Sequence, residues 1–270
     1  MTINLDSEKF FNKTKINIKE KLEKADQKII NISLIVDKIP KNINELSEQL
    51  RIIADLRLPT LDQYTTIKQH CEICLLDINN KISKSNFEEL ENLSITNDNL
   101  KNIKQIILED IGIEIDTDYK NIIEEMCTNI LNLIKLKDNL ENILEKLFLE
   151  NYINFYKLTN IKIASKMLEI AGSFKRLVSM PASTIQLLGS EKSFFKALKT
   201  HKNTPKYGVL YNHPSMQSLS KRNKGRFART IAAKISIALK SDFNKTEIYP
   251  ELLKKLNNKL EQYKQNNLKK

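Results

Sequence analysis

The chain has 270 residues, enough for one large core or two smaller units. It is 41% hydrophobic and 29% charged, a balance typical of soluble globular proteins, and its 5 glycines, 6 prolines and 7% aromatic residues argue against an all-β protein. No apolar run approaches the roughly 20 residues a membrane span needs, and the N-terminal MTINLDSEKFFNKTK has no apolar signal core, which predicts an intracellular protein without a membrane partner.

In chain order, residues 15–39 read as an amphipathic helix. Ile18, Leu22, Ala25, Ile29, Ile32, Val36 and Ile39 recur at spacings of four and three, the seam of a coiled coil. Pro40 is expected to end it. A second stretch, 43–57, closes before Pro59, and residues 60–110 read as short helices with polar breaks at KSNFEE and SITNDN. A second long helix is expected over 119–150, with Ile123, Met126, Ile130 and Leu133, then Leu140, Leu144 and Leu147, on its seam. Two such helices about eighty residues apart suggest an antiparallel coiled hairpin capped by the middle segment. An ordinary bundle core gives the same periodicity. The fold class expected is all-α: a long coiled-coil hairpin over residues 1–155 with a capping tip, then a helical domain over 156–270.

The composition changes in the second half. Four of the five glycines and four of the six prolines lie beyond residue 170, which predicts helices interrupted by shaped loops. Charge divides the same way. Residues 161–270 hold 23 Lys and Arg against 6 Asp and Glu, net +17, while residues 1–160 are net −6. A basic half joined to a mildly acidic one points to a polyanion partner for the basic half.

Catalytic and metal signatures are weak. His70, Cys71 and Cys74 give at most three ligands where a structural zinc takes four, and they share a helical face with Leu75 and Ile78, so buried thiols are the simpler reading. Three cysteines give no disulfide framework. There is no GxGxxG, Walker loop or GxSxG, and Asp116 and Asp118 have no His or second acidic cluster to complete a site. The chain reads as a non-enzyme with no cofactor and no metal.

The informative stretch is KRNKGRFARTIAAKISIALK, residues 221–240, in which five of the first nine residues are basic. On a helix, Phe227, Ile231, Ile235 and Leu239 form a core face with Ala228 and Ala232 beside them. Arg222, Arg226, Arg229 and Lys240 fall on another side, with Ala233 and Ser236 between. Lys221 and Lys224 lie in the first turn, where free N–H groups and the helix dipole favour phosphate. Gly225 costs about 1 kcal/mol in a helix interior and so calls for a reason: its place in the first turn or a close contact. No acid occurs between Glu191 and Asp242, whereas a merely solvated surface mixes signs. The loop KTHKNTPKYGVLYNH interleaves Lys199, Lys202 and Lys206 with Tyr207 and Tyr211. Those rings could stack on unpaired bases or pack against the core, and for Tyr211 the residues do not decide between the two. The physical reading is a helical protein whose C-terminal domain binds nucleic acid, with structured RNA favoured over a DNA major groove.

The runs MPASTIQLLGSEKSFFKALKTHKNTPKYGVLY (180–211) and RNKGRFARTIAAK (222–234), with IASKMLEIAGSFKRL upstream, resemble the Nop-domain family. The resemblance covers residues 120–263, and residues 1–119 match in helical character. It implies a scaffold that reads a kink-turn RNA together with the small protein already bound to it, as in box C/D small nucleolar ribonucleoproteins or, in another branch, on U4 snRNA in the splicing tri-snRNP. A third reading is a coiled adaptor whose basic domain meets an acidic protein. The resemblance further implies a second Nop protein pairing through the coil, and a nuclear, nucleolar location. Fibrillarin performs the methylation in box C/D particles. The α/β domain that binds it in the family has no counterpart before this coil, which puts its recruitment in doubt. Carried over by position, the RNA-facing candidates are Lys192, Lys196, Lys199, Lys206, Tyr207, Asn212, His213, Arg222, Lys224, Arg226 and Arg229. Asn212 stands where the splicing branch commonly has a stacking His. Ala171, Gly172, Met180, Pro181, Ala182, Ser183 and Gly189 are expected to shape the surface toward the RNA and its protein.

Overall fold

The computed structural model describes residues 24–83, 86–200 and 204–268. The described residues form helices joined by loops, with only an isolated bridge between Ser83 and Asn86 and no strand among them, so the all-α expectation is met. The helices are α1 (Ala25–Arg57), α2 (Ile67–Ile78), α3 (Glu88–Glu91), α4 (Asn97–Glu109), α5 (Thr117–Asn151), α6 (Ile153–Leu158), α7 (Ile161–Ala171), α8 (Phe174–Ser179), α9 (Ala182–Leu187), α10 (Glu191–Lys199), α11 (Pro214–Gln217), α12 (Lys221–Phe243) and α13 (Tyr249–Leu268). Residues 15–23 of the first expected helix lie outside the described residues.

One expectation fails. Pro40 does not end the first helix; it lies inside α1, which runs unbroken to Arg57. A helical proline forfeits one hydrogen bond, here to the Val36 carbonyl, and costs about 3 kcal/mol. Pro40 is exposed, while Ile39 and Ile43 beside it are buried. Core burial on both sides, roughly 1.5–3 kcal/mol for each isoleucine, outweighs that cost. The stretches 25–39 and 43–57 are therefore parts of one helix.

The chain packs as two units. The first comprises residues 36–140. Its core joins Leu50 and Ala54 of α1, Ile73 of α2, Ile103 of α4 and Ile123 and Ile130 of α5. Arg57, at the end of α1, ties that helix to α2 and to the end of α4 by pairing with Asp77 at 3.1 Å and Asp110 at 2.7 Å. A capping box between Thr66 and Gln69 starts α2. Cys71, Cys74 and Cys127 are buried free thiols. Contact with Cys127 and burial push the Cys71 thiol far above its ordinary range, so these residues act as core side chains. Among the described residues no group of His, Cys, Asp or Glu is arranged to hold a metal. No helix among them is long and apolar enough to cross a membrane.

The second unit comprises residues 141–270 with the start of α1. Its central element is α12, whose Phe227, Ile231, Ile235 and Leu239 are buried, as their spacing predicts. Two buried carboxylates close the unit by capping. Asp242 accepts from the backbone N–H groups of Asn154 and Phe155 and from the Asn154 amide, which satisfies the free donors at the start of α6. Asp26 accepts from the Phe174 N–H at 2.9 Å and does the same for α8. The final helix is strapped to α12 by the Asn223 amide, which donates to the Tyr263 carbonyl at 2.8 Å, and by Thr230 against the Tyr263 hydroxyl.

Candidate nucleic-acid interface

The basic face forms on α12 because its opposite face is committed to the core. Arg222, Arg226, Arg229 and Lys240 are exposed. Among the described residues the three arginines form no ion pair. A loop beside the helix builds the second wall. Gly208 N–H donates to the Gln186 carbonyl at 3.0 Å, and Val209 N–H to the Leu188 carbonyl at 2.8 Å. The Gln186 amide donates to the Lys206 carbonyl at 2.7 Å. These bonds pin residues 204–209 along α9 and bring Lys206 beside α12. Gly225 faces the Lys206 side chain: a Cβ at that position would sit 3.4 Å from it, an ordinary contact distance, so the glycine lets the lysine stem lie close to the α12 backbone without a clash requiring it.

The result is a groove of about 490 Å³. Arg222, Arg226 and Arg229 line one side, Lys206 and Ser183 the other, and Gln186 and Phe194 also border it. Among the described residues no carboxylate lines it. Beside it, Tyr207 and Tyr211 stack with centroids 5.2 Å apart and planes 12° from parallel. Lys224 Nζ lies 5.2 Å from the centre of the Tyr211 ring. Tyr211 is 42% exposed, which resolves its two readings: it is a surface ring within a stack, not a core residue. Asn212 follows it, also exposed.

The remaining candidates separate by position. Lys192, Lys196 and Lys199 are exposed on α10 and do not line the groove. Gly189 makes the turn into α10 at φ +83°, a left-handed value that favours glycine. Its N–H donates to Glu191 Oε1. Pro181 is the N-cap of α9 and Ala182 begins it, while Met180 is partly buried at the end of α8. Gly172 ends α7 in the left-handed region, and its carbonyl accepts from Gln27. Ala171 is fully buried, so it shapes α7 from within.

His213 does not face a ligand. It is buried against Phe227, its Nδ1 accepts from the Ser215 N–H at 3.2 Å, and Nε2 lies 3.3 Å from the Leu158 carbonyl. Burial pushes its pKa below the ordinary histidine value. The ring caps α11 and is unavailable for base stacking. Gln186 and Phe194 escaped the sequence reading because neither is charged. Gln186 could have been suspected only from its place between two candidate loops.

A family model described as "Nop: snoRNA binding domain, fibrillarin" matches residues 35–266, which extends the likeness well upstream of residue 120. A NOP5 family protein of Methanocaldococcus jannaschii is 32% identical over 250 residues, covering 92% of this chain and 60% of that protein. Nucleolar protein 56 of Caenorhabditis elegans is 30% identical, covering 88% of this chain and 50% of its own length. The human nucleolar protein 56 is 28% identical, with 85% and 39% covered. The chain thus spans about half the length of the curated relatives it matches. The solved structure of a fibrillarin/Nop5p complex aligns with a TM-score of 0.55 at 22% identity, over 96% of this chain and 79% of that one, a likeness of fold. With 35–266 matched by the family model and an aligned relative at 32% identity, the chain belongs to the Nop family.

Proposed function

We propose that this chain is a non-catalytic RNA-binding scaffold of a box C/D ribonucleoprotein, holding a kink-turn RNA together with its small primary binding protein for guided ribose methylation of ribosomal RNA. The observation that carries this reading is the groove, in which four cations and, among the described residues, no carboxylate face one another. Arg222, Arg226, Arg229 and Lys206 hold phosphates there. Arginine's fork suits a phosphate's paired oxygens. The exposed ring surface of the Tyr207–Tyr211 pair, with Lys224 and Asn212 beside it, takes an unstacked base. The lysines of α10 and the turn residues Met180 to Ser183 and Gly189 meet the small protein and the adjoining RNA. Ala171 and His213 serve by holding that surface in shape. Residues 156–270 carry the RNP-binding surface and the long helices of 1–155 pair with a second Nop chain. Methylation falls to fibrillarin, which is named with both the family model and the structural relative. The matching location is the nucleolus, as the relatives called nucleolar proteins suggest.

The test is to crosslink the tagged protein to RNA with ultraviolet light in cells and sequence what copurifies. Enrichment of box C/D guide RNAs is the expected result. Enrichment of U4 snRNA would assign the chain to the splicing branch instead. No enriched RNA would overturn the reading and leave a protein-binding basic surface.

A further inference from the structure

A second groove, of about 570 Å³, lies between α12 and α13. Arg229, Lys234, Lys255 and Lys259 line it, with Ala233, Thr230 and Asn258 between them. Arg229 lines both this groove and the first, so the two form one continuous positive surface. We propose that this surface is a single phosphate track, and that its second half takes the sugar-phosphate backbone of the RNA flanking the element held in the first. The proposal rests on the RNA-binding reading of the first groove and extends it.

Four observations carry it. Among the described residues no carboxylate lines the second groove, and neither Arg229 nor Lys234 has an ion-pair partner. Among the described residues Lys259 Nζ reaches only the neutral Gln262 amide oxygen, at 3.1 Å. Lys255 pairs with Glu251 at 3.2 Å, but both side chains are exposed, at 60% and 76%. Such surface pairs contribute at most about 1 kcal/mol, so exchanging Glu251 for a phosphate costs little. Secondly, the floor suits a backbone: Ala233 is exposed on α12 and offers no bulk to hold a strand away. Thirdly, the walls are rigid. Leu252, Leu256 and Leu260 are buried, and Asn223 and Thr230 both engage Tyr263. Fourthly, the chemistry is of the right kind. Lysines give point charges for phosphates, and the Asn258 amide can donate to or accept from a 2′-hydroxyl. Among the described lining residues none offers an aromatic platform for a base, so the contacts are positional and carry no sequence preference. From Arg222 to Lys234 the track runs about 18 Å along α12, at 1.5 Å per residue.

The experiment compares two RNAs, each presented as a kink-turn hairpin bound by its small protein: one ending at the hairpin, one with a single-stranded flank. Wild-type protein should bind the flanked RNA at least tenfold more tightly. The triple variant Lys234→Glu, Lys255→Glu, Lys259→Glu should keep its affinity for the short RNA and lose the gain from the flank. Its slope of log affinity against log salt should fall by about 2 to 3, as loss of three phosphate contacts requires. A charge-matched control, Lys146→Glu, Lys162→Glu, Lys175→Glu, changes exposed lysines that line neither groove and should keep the gain. As a measurement independent of any variant, 4-thiouridine in the flank should crosslink to α13 peptides of the wild type. The inference is overturned if the flank adds no affinity, if the triple variant keeps the gain, if the control loses it equally, or if the crosslinks avoid α13. Failure of the wild type to bind even the short complex would sink the RNA-binding reading itself, and this inference with it.

Discussion

A Cβ on Gly208 would lie 1.9 Å from the Leu188 carbonyl oxygen. That oxygen accepts the N–H of Val209, so neither side can yield without breaking the bond that seats the loop. Gly208→Ala should therefore push residues 204–209 off α9. Overpacking of this kind typically costs about 1–3 kcal/mol, and Lys206 would leave the groove with the loop. Urea unfolding and RNA titration should both register the change, and a variant of unchanged stability would contradict the geometry.

Gly225 predicts a different balance. An added methyl would touch the Lys206 side chain at ordinary contact distance, while alanine favours the helix by about 1 kcal/mol. Gly225→Ala should raise the melting temperature by a few degrees and weaken RNA binding by narrowing the groove. Stability and affinity moving in opposite directions is the signature to look for.

Reversal of the arginine stripe probes the groove directly. Arg222→Glu, Arg226→Glu and Arg229→Glu combined should abolish ribonucleoprotein assembly and leave the helical circular dichroism intact, because all three are exposed. Assembly at wild-type affinity would remove these residues from the interface.

His70 supplies a pH prediction. It is buried in the 36–140 unit, and among the described residues neither ring nitrogen has a hydrogen-bond partner. Burial lowers its pKa, opposed by Asp55 and Asp62, with Arg51 adding to the depression. His213 is lowered as well. The unfolded chain therefore binds more protons than the folded one as pH falls from 7 through the ordinary histidine value of 6.5, and folding stability drops over that window. His70→Leu should flatten this dependence. It should also stabilise the protein by about 1–3 kcal/mol at neutral pH by removing two unsatisfied polar atoms. Denaturant titrations at pH 7.5 and pH 5.5 would show both effects.

Pairing with a second chain has a testable surface in the 36–140 unit. Ile52, Leu56 and Ile113 are exposed, and the Ile113 N–H donates to the Leu56 carbonyl, which gathers apolar surface around that strap. Ile52→Glu with Ile113→Glu should give a monomer by sedimentation at concentrations where the wild type self-associates. A wild type that is monomeric, alone and with a coexpressed paralogue, would refute the pairing.

How far the sequence could be read depended on the kind of interaction. The core face of α12 was legible because Phe227, Ile231, Ile235 and Leu239 recur at helical spacing and burial follows period. The arginine stripe was legible because the same period leaves it opposite. The continuity of α1 was not, because Pro40 is a local signal and the burial that overrides it involves residues distant in the chain. The burial of His213 is illegible for a related reason: a histidine before a proline looks the same in sequence whether it is exposed or packed inside, and its contact with the Leu158 carbonyl is made 55 residues away. The second groove was hidden because it pairs Arg229 and Lys234 of one helix with Lys255 and Lys259 of another.

The chain contains no tryptophan. The Tyr207–Tyr211 stack therefore offers a natural optical window on the groove. Tyr211→Trp would place the molecule's sole indole on a partly exposed platform with a lysine overhead. Excitation at 295 nm would then report that one position, and an arriving base that stacks on the indole would quench its emission, so occupancy could be followed in real time without labelling the RNA.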